Sequence, residues 1–271
     1  MSRIAIMTDS NSGIMPAEAS NYGIHVLPMP IIIDGTTYFE GIDITVEEFY
    51  QKQTSGSVIT TSQPSPGDVT GMWDRLLQTH DEIVFIPMSS GLSNTCQTAL
   101  LLADEEPYKD RVFVADNHRI SVTQALSVLD AKSLAEKGLT AREIRDILEE
   151  EAMDATIYIA VDTLEYLKKG GRITAAAATL GTILKIKPVL TIQGDKLDSF
   201  AKARGMKSAF RVMVEAVKAD ITSRLSHLRE QGLLKVGIAN TMMDPDKLEE
   251  FKDEMRKNFP DMELVYFPLT M

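Results

Sequence analysis

The sequence predicts an α/β fold of two lobes, with a largely parallel sheet in the first lobe and a ligand cleft between them. Three observations predict it. Short apolar runs of strand length alternate with amphipathic stretches of helical period from one end to the other, the pattern of repeated βα units. The acidic turn from Glu149-Glu150-Glu151 to Asp154 interrupts that alternation, which gives residues 1–154 as a first α/β lobe and 155–271 as a second. A chain of 271 residues, 44% hydrophobic and 25% charged, is long enough to bury a core in each.

Each element has a local reason. Ile4–Met7 is an apolar run followed by the polar loop Thr8-Asp9-Ser10-Asn11-Ser12-Gly13. Val26–Ile33 is a second strand, and Asp34-Gly35 is a turn signal that brings Thr36–Phe39 back as a hairpin partner. Thr45 caps a helix over Val46–Gln53. The loop from Thr60 to Gly67 leads into a helix over Asp68–Thr79. Ile83–Ile86 is a buried strand, and the loop Ser89-Ser90-Gly91-Leu92-Ser93-Asn94-Thr95 leads into a helix over Leu92–Ala103. Val112–Ala115 precedes paired helices over Ser121–Ala135 and Thr140–Met153, the second opened by a capping box of Thr140 and Glu143. In the second lobe the strands are Thr156–Val161, Pro188–Ile192, Val236–Ala239 and Leu264–Phe267. One long helix from Met206 to about Glu230 sets Met206, Phe210, Met213, Val217, Ile221, Leu225 and Leu228 on one face, which reads as core.

Composition excludes several classes of function. Lys+Arg 28 against Asp+Glu 39 gives a net charge of −11. A surface that acidic repels phosphate backbones and anionic lipid heads, so no nucleic-acid partner is expected. The run Ile83–Ala103 is uncharged, but its polar middle, Ser89 to Thr95, forbids stable membrane insertion. Met1-Ser2-Arg3 passes directly into the Ile4–Met7 strand, too short an opening for a signal peptide. The lone Cys96 fits a reducing compartment, and a cytoplasmic location is expected. No P-loop, no G-x-G-x-x-G and no His/Cys cluster of ligand spacing occurs, so neither a cofactor nor a metal is expected.

Chemistry concentrates in the three hydroxyl-rich loops, which follow strands of the first lobe and are expected on one rim of one sheet. Two of them end at a helix N-terminus, where amide N–H groups and the positive dipole end hold an anion without Lys or Arg. A catalytic alternative is a small-molecule hydrolase or phosphatase using Asp9 or Ser93. Asp9 follows a strand as an aspartyl nucleophile would, but Asn11 stands where a second acid is wanted. Around Ser93 there is no G-x-S-x-G elbow, and no motif links His25, His80, His118 or His227 to it. The small, uncharged run Ile173–Leu184 packs closely as a helix and leaves room for a ligand beside it. An anion-sized polar site and such an apolar surface suit a molecule with one anionic end and a long apolar body.

The motifs Thr8-Asp9-Ser10, Thr61-Ser62-Gln63-Pro64-Ser65, Ser89-Ser90-Gly91-Leu92-Ser93-Asn94-Thr95, Asp162 to Ile173 and Lys202-Ala203-Arg204-Gly205, in that order, resemble the DegV family of bacterial fatty-acid-binding proteins. The resemblance implies two α/β lobes with a long-chain fatty acid between them. It also implies a carrier that is not itself a catalyst, serving a fatty acid kinase that phosphorylates the bound carboxylate. Carried over by position, Thr61 and Ser93 would hold the carboxyl group, with Ser62, Ser90, Thr8, Asp9 and Ser10 completing the polar end. Arg172 and Arg204 would dock the kinase. The family pattern continues past the last strand into a His-x-Gly-Pro segment whose histidine reaches the carboxylate. This sequence stops at Pro268-Leu269-Thr270-Met271, and no residue in it is expected to take that role.

Overall fold

The structure, a computed structural model, describes residues 2–179, 186–241 and 243–270. They belong to two units, Met1–Met153 with Phe267–Met271, and Asp154–Tyr266. The first unit opens with β1 (Ile4–Asp9), a 3-10 turn (Ser10–Ser12), α1 (Ala19–Tyr22), β2 (His25–Leu27), β3 (Pro30–Ile33), β4 (Thr36–Phe39), α2 (Val46–Thr54) and β5 (Ile59–Thr61). It continues through α3 (Pro66–Leu76), β6 (Glu82–Ile86), α4 (Thr95–Ala103), β7 (Val112–Val114), α5 (Ser121–Glu136) and α6 (Ala141–Glu150).

Alternate side chains of β1 feed two separate cores. Ile6 joins Val84, Ile86 and Phe113 under α5 and α6, which contribute Ala125, Val128, Ile144 and Leu148. Ala5 and Met7 face the other way, with Phe85, Val112 and Val114, under Val69 and Trp73 of α3 and Cys96 and Ala99 of α4. Because both faces are covered, these strands read as unbroken apolar runs, the signature of a buried parallel sheet. The sheet is four-stranded, in the order β2-β1-β6-β7, and all its neighbours are parallel.

The expected strand Val26–Ile33 is two strands. Pro28 and Pro30 have no amide hydrogen to donate, so the ladder with β1 ends at Leu27. The chain re-enters as β3 at the centre of a separate antiparallel sheet, β4-β3-β5. Thr60 and Thr61, expected in a loop, lie in β5 opposite Ile32 and Ile31.

The second unit runs β8 (Ile157–Ala160), α7 (Glu165–Gly170), α8 (Ala175–Ala178), β9 (Ile186–Ile192), β10 (Asp198–Arg204), α9 (Met206–Thr222), α10 (Ser226–Glu230), β11 (Lys235–Ile238), α11 (Pro245–Asn258) and β12 (Glu263–Tyr266). Strands β10-β9-β8 form an antiparallel sheet, and β11 and β12 pair in parallel. Helix α9 serves both: Ala209 packs with Val189 and Ala203, while Val214 and Ile221 pack with Val236, Ile238 and Met255. The helix expected to run from Met206 to Glu230 ends at Thr222. The hydroxyls of Thr222 and Ser223 turn back onto the carbonyls of Lys218 and Ala219, at 2.9 and 2.6 Å, and compete with continuation of the helix. Of the run Ile173–Leu184, Ala175–Ala178 is helical and capped by Thr174, and residues 180–184 lie outside the described residues. No helix among the described residues is long and apolar enough to cross a membrane.

Candidate binding site

In the central sheet the chain leaves β1 toward β2 on one side, whereas β6 lies on the other side and leads on to β7. The connections diverge there, and the carboxyl ends of β1 and β6 at such a switch point are the place where open α/β sheets hold ligands. Two of the three hydroxyl-rich loops are at this edge, one after β1 and one after β6. The third is not on the same rim, contrary to expectation. Thr61 ends β5 of the antiparallel sheet, because the proline break diverts the chain out of the parallel one. Its connection to the site is a side-chain bridge. Gln63 donates to Thr98 Oγ1 at 3.2 Å and accepts from it at 3.3 Å, which fastens the segment after Thr61 to α4, the helix that begins just past Ser93.

The loop after β1 is built around Asp9, which is fully buried. One carboxylate oxygen accepts from the Met88 amide at 2.8 Å, and the other from the Asn11 amide and from Gln124 Nε2, both at 3.1 Å. Asp9 thus ties its own loop to the loop after β6 and to α5. Burial pushes its carboxyl above the ordinary 3.8, and those hydrogen bonds pull it partly back. Thr8 donates to the Ile86 carbonyl at 2.7 Å and accepts from Gln124 at 3.0 Å. Ser10 donates to Glu40 at 2.5 Å and accepts from the Met29 amide at 3.1 Å. All three side chains are buried, and their polar atoms face other parts of the protein.

The loop after β6 is more open. Ser90 and Ser93 are half-buried, and Thr61 and Ser62 are exposed. The Ser93 hydroxyl shares a hydrogen bond of 2.8 Å with the Thr95 hydroxyl and accepts from the Thr95 amide at 3.2 Å, so it stays at the amide end of α4. Ser62 donates to the Gln63 carbonyl at 3.1 Å. The hydroxyls of Thr61 and Ser90 have no hydrogen-bond partner among the described residues and are free to take a ligand.

A further loop at this edge escaped the sequence reading. After β7, the residues from Asp116 to Arg119 carry the loop after β6. The Ser89 amide donates to the Arg119 carbonyl at 2.9 Å, and the Ser90 amide to Asp116 Oδ1 at 3.4 Å. The signal was available, since β7 was an expected strand and the rule that ligands sit beyond strand ends applies to it equally. Arg172 and Arg204 are both exposed and lie in the second unit. The backbone of Arg172 accepts from the Leu197 amide at 2.9 Å, and Arg204 ends β10 opposite Ile186. Among the described residues no group of three or more His, Cys, Asp or Glu side chains is placed to hold a metal ion.

Comparison with known proteins bears on this arrangement. A family model described as "Uncharacterised protein, DegV family" matches residues 3–271. A DegV domain-containing protein of Caldanaerobacter subterraneus is 35% identical over 218 residues, 80% of this chain and 78% of that protein. The solved structure of a DegV family protein from Thermus thermophilus, reported with fatty acid binding, is 31% identical with a TM-score of 0.82, covering 99% of this chain and 93% of that one. The B3 protein of a Streptococcus pneumoniae fatty acid kinase, loaded with linoleic acid, has a TM-score of 0.76 over 99% of this chain and 93% of its own, and at 18% identity the likeness is one of fold.

Proposed function

The chain belongs to the DegV family, and from that premise we propose that it binds a long-chain fatty acid, carries it without transforming it, and presents its carboxylate to a fatty acid kinase. The observation that carries the reading is the set of hydroxyls gathered about α4, two from the loop after β6 at the switch point of the central sheet and two from the end of β5, which the Gln63–Thr98 bridge ties to that helix. Thr61 and Ser90 have uncommitted hydroxyls, Ser93 sits at the amide end of α4, and Ser62 lies next to Thr61. These four touch the carboxylate. Thr8, Asp9 and Ser10 stand behind them and fix the loops.

The energetics suit a carrier. Burial is worth about 0.8 kcal/mol per methylene, so a tail of about 15 methylenes gains on the order of 12 kcal/mol before ordering costs. The carboxylate adds little net affinity, because its desolvation offsets its hydrogen bonds. The hydroxyls orient the head group without locking it into an ion pair. Arg172 and Arg204, exposed in the second unit, supply the charge that meets the kinase.

The test is extraction of the purified protein with organic solvent and mass spectrometry of the extract. A long-chain fatty acid is expected. An empty extract, together with esterase or phosphatase turnover that Ser93→Ala abolishes, would replace the carrier by a hydrolase. Within the carrier reading, Ser93→Ala lowers kinase-coupled acyl phosphate formation more than lipid retention, and equal loss of both would refute that division of roles.

A further inference from the structure

Strands β3, β4 and β5 share a core with α2, built from Ile31, Ile33, Ile44 and Phe49 with Tyr38, Tyr50 and Ile59. None of these residues belongs to the two cores on either side of the parallel sheet. Packing within the small sheet holds Thr61 of β5 opposite Ile31 of β3, but it does not set where β3 stands relative to the loop after β1. A ring of hydrogen bonds at the start of β3 does. Pro28 and Pro30 have no amide hydrogen, so Met29 carries the only N–H of the three, and it donates to Ser10 Oγ at 3.1 Å. The Ser10 hydroxyl donates on to Glu40 Oε2 at 2.5 Å, and the Glu40 amide returns to the Met29 carbonyl at 3.1 Å. The Ser10 and Glu40 side chains are both buried. Next in the chain, Gly41 has φ 72°, and a methyl group on it would lie 3.2 Å from Met15 Sδ and from Pro16 Cδ. The end of β4 is thus seated on the segment that follows the 3-10 turn.

Resting on the fatty-acid reading above, we propose that Glu40 is a positioning residue for the head group: through Ser10 and Met29 it sets where β3 begins, and through β3 it places Thr61 at the carboxylate. An acidic side chain is almost never fully buried without a partner that offsets its desolvation. A partner here is the hydroxyl on which Met29 depends. That hydroxyl has one hydrogen, and giving it to Glu40 turns the oxygen lone pairs toward the Met29 amide. Ile31 follows Met29 by two residues, and Thr61 is its partner across the ladder, so the ring and the Thr61 hydroxyl are joined by one step between strands. Glu40 itself does not meet the ligand. The Ser93 hydroxyl is held by Thr95 at the start of α4 and lies outside this chain of contacts.

The experiment is NMR of oleate labelled with ¹³C at its carboxyl carbon and bound to the full chain, because that resonance follows the hydrogen bonds the carboxylate accepts. Thr61→Ala displaces the resonance, and Glu40→Ala displaces it in the same direction. Made in the Thr61→Ala background, Glu40→Ala adds no further displacement, since the hydroxyl it positioned is gone. Ser93→Ala made in the Glu40→Ala background adds its full displacement. A merely structural role would lower the denaturation midpoint and leave the resonance of the folded complex in place. Should Glu40→Ala not fold, Ser10→Ala opens the ring from its centre and is read in the same way. If breaking the ring leaves the resonance unmoved, or moves it as far without the Thr61 hydroxyl as with it, this inference falls and the fatty-acid reading stands. If wild type shows no bound oleate, both fall.

Discussion

At the scale of single residues, Asp9 illustrates how a carboxyl can organise a site without being its chemistry. Its raised pKa, caused first by burial, means the folded protein favours the protonated form. The stabilisation is complete below the unfolded value and is lost as the pH rises through the folded one. Asp9→Asn removes that dependence, but it also turns an amide donor toward the N–H of Met88 or of Asn11, where an acceptor is needed. The expected cost is about 1–3 kcal/mol, the usual penalty for an unmatched buried polar group, read from the urea midpoint at neutral pH. Oleate affinity falls with it, since two loops lose their common tie. The importance of Asp9 was readable from its place at the end of a strand. Its partner Gln124 was not, because nothing in the spacing shows that the opening turns of α5 face a residue so far back in the chain.

Among elements, the features written locally were the readable ones. Thr45 with Glu48, Ser65 with Asp68 and Thr140 with Glu143 each close a full capping box, and a box needs only residues three apart. The Thr140 amide and hydroxyl hold the Glu143 carboxyl below its ordinary 4.5. A lowered carboxyl contributes stability that is present above the unfolded value and vanishes as the pH falls through the folded one. Thr140→Ala is expected to lower the denaturation midpoint near neutral pH, and the gap to wild type should narrow as the solution is taken well below pH 4.5, which a urea series at several pH values would check. What sequence reading missed were the elements set by tertiary partners. Strand β10 has its alternation of exposed and covered positions, but its covered side chains, Ser199, Ala201 and Ala203, are too small to make an apolar strand pattern. The split at Pro28 and Pro30 moved Thr61 into another sheet, and only the Gln63–Thr98 bridge shows how it stays near α4.

For the molecule as a whole, charge is unevenly placed. In a chain of net charge −11, Lys168, Lys169, Arg172, Lys187, Lys202, Arg204, Lys207 and Arg211 fall within one stretch of the second unit. Such a segment attracts an acidic partner surface, with an effect on association that salt weakens. The double charge reversal Arg172→Glu with Arg204→Glu is expected to leave oleate retention intact and to cut kinase-coupled turnover roughly tenfold or more. Rate measurements at low and high ionic strength, with lipid content assayed in parallel, check it. At this scale the α/β class followed from alternation alone, and the family from the order of its motifs. That the loops after β1 and β6 share one edge was expected from the sequence, whereas the place of Thr61 in a second sheet needed the strand order.

The first unit is assembled from segments on either side of the second in the chain. Phe267 packs against the core that contains Ile14, and Gly13, at φ 83°, leaves so little room that a methyl group there would meet the Pro268 carbonyl at 2.7 Å. A nascent chain therefore leaves the patch around Ile14 open until Phe267 and Pro268 have been synthesised. The first unit thus completes its core only after the second has been synthesised.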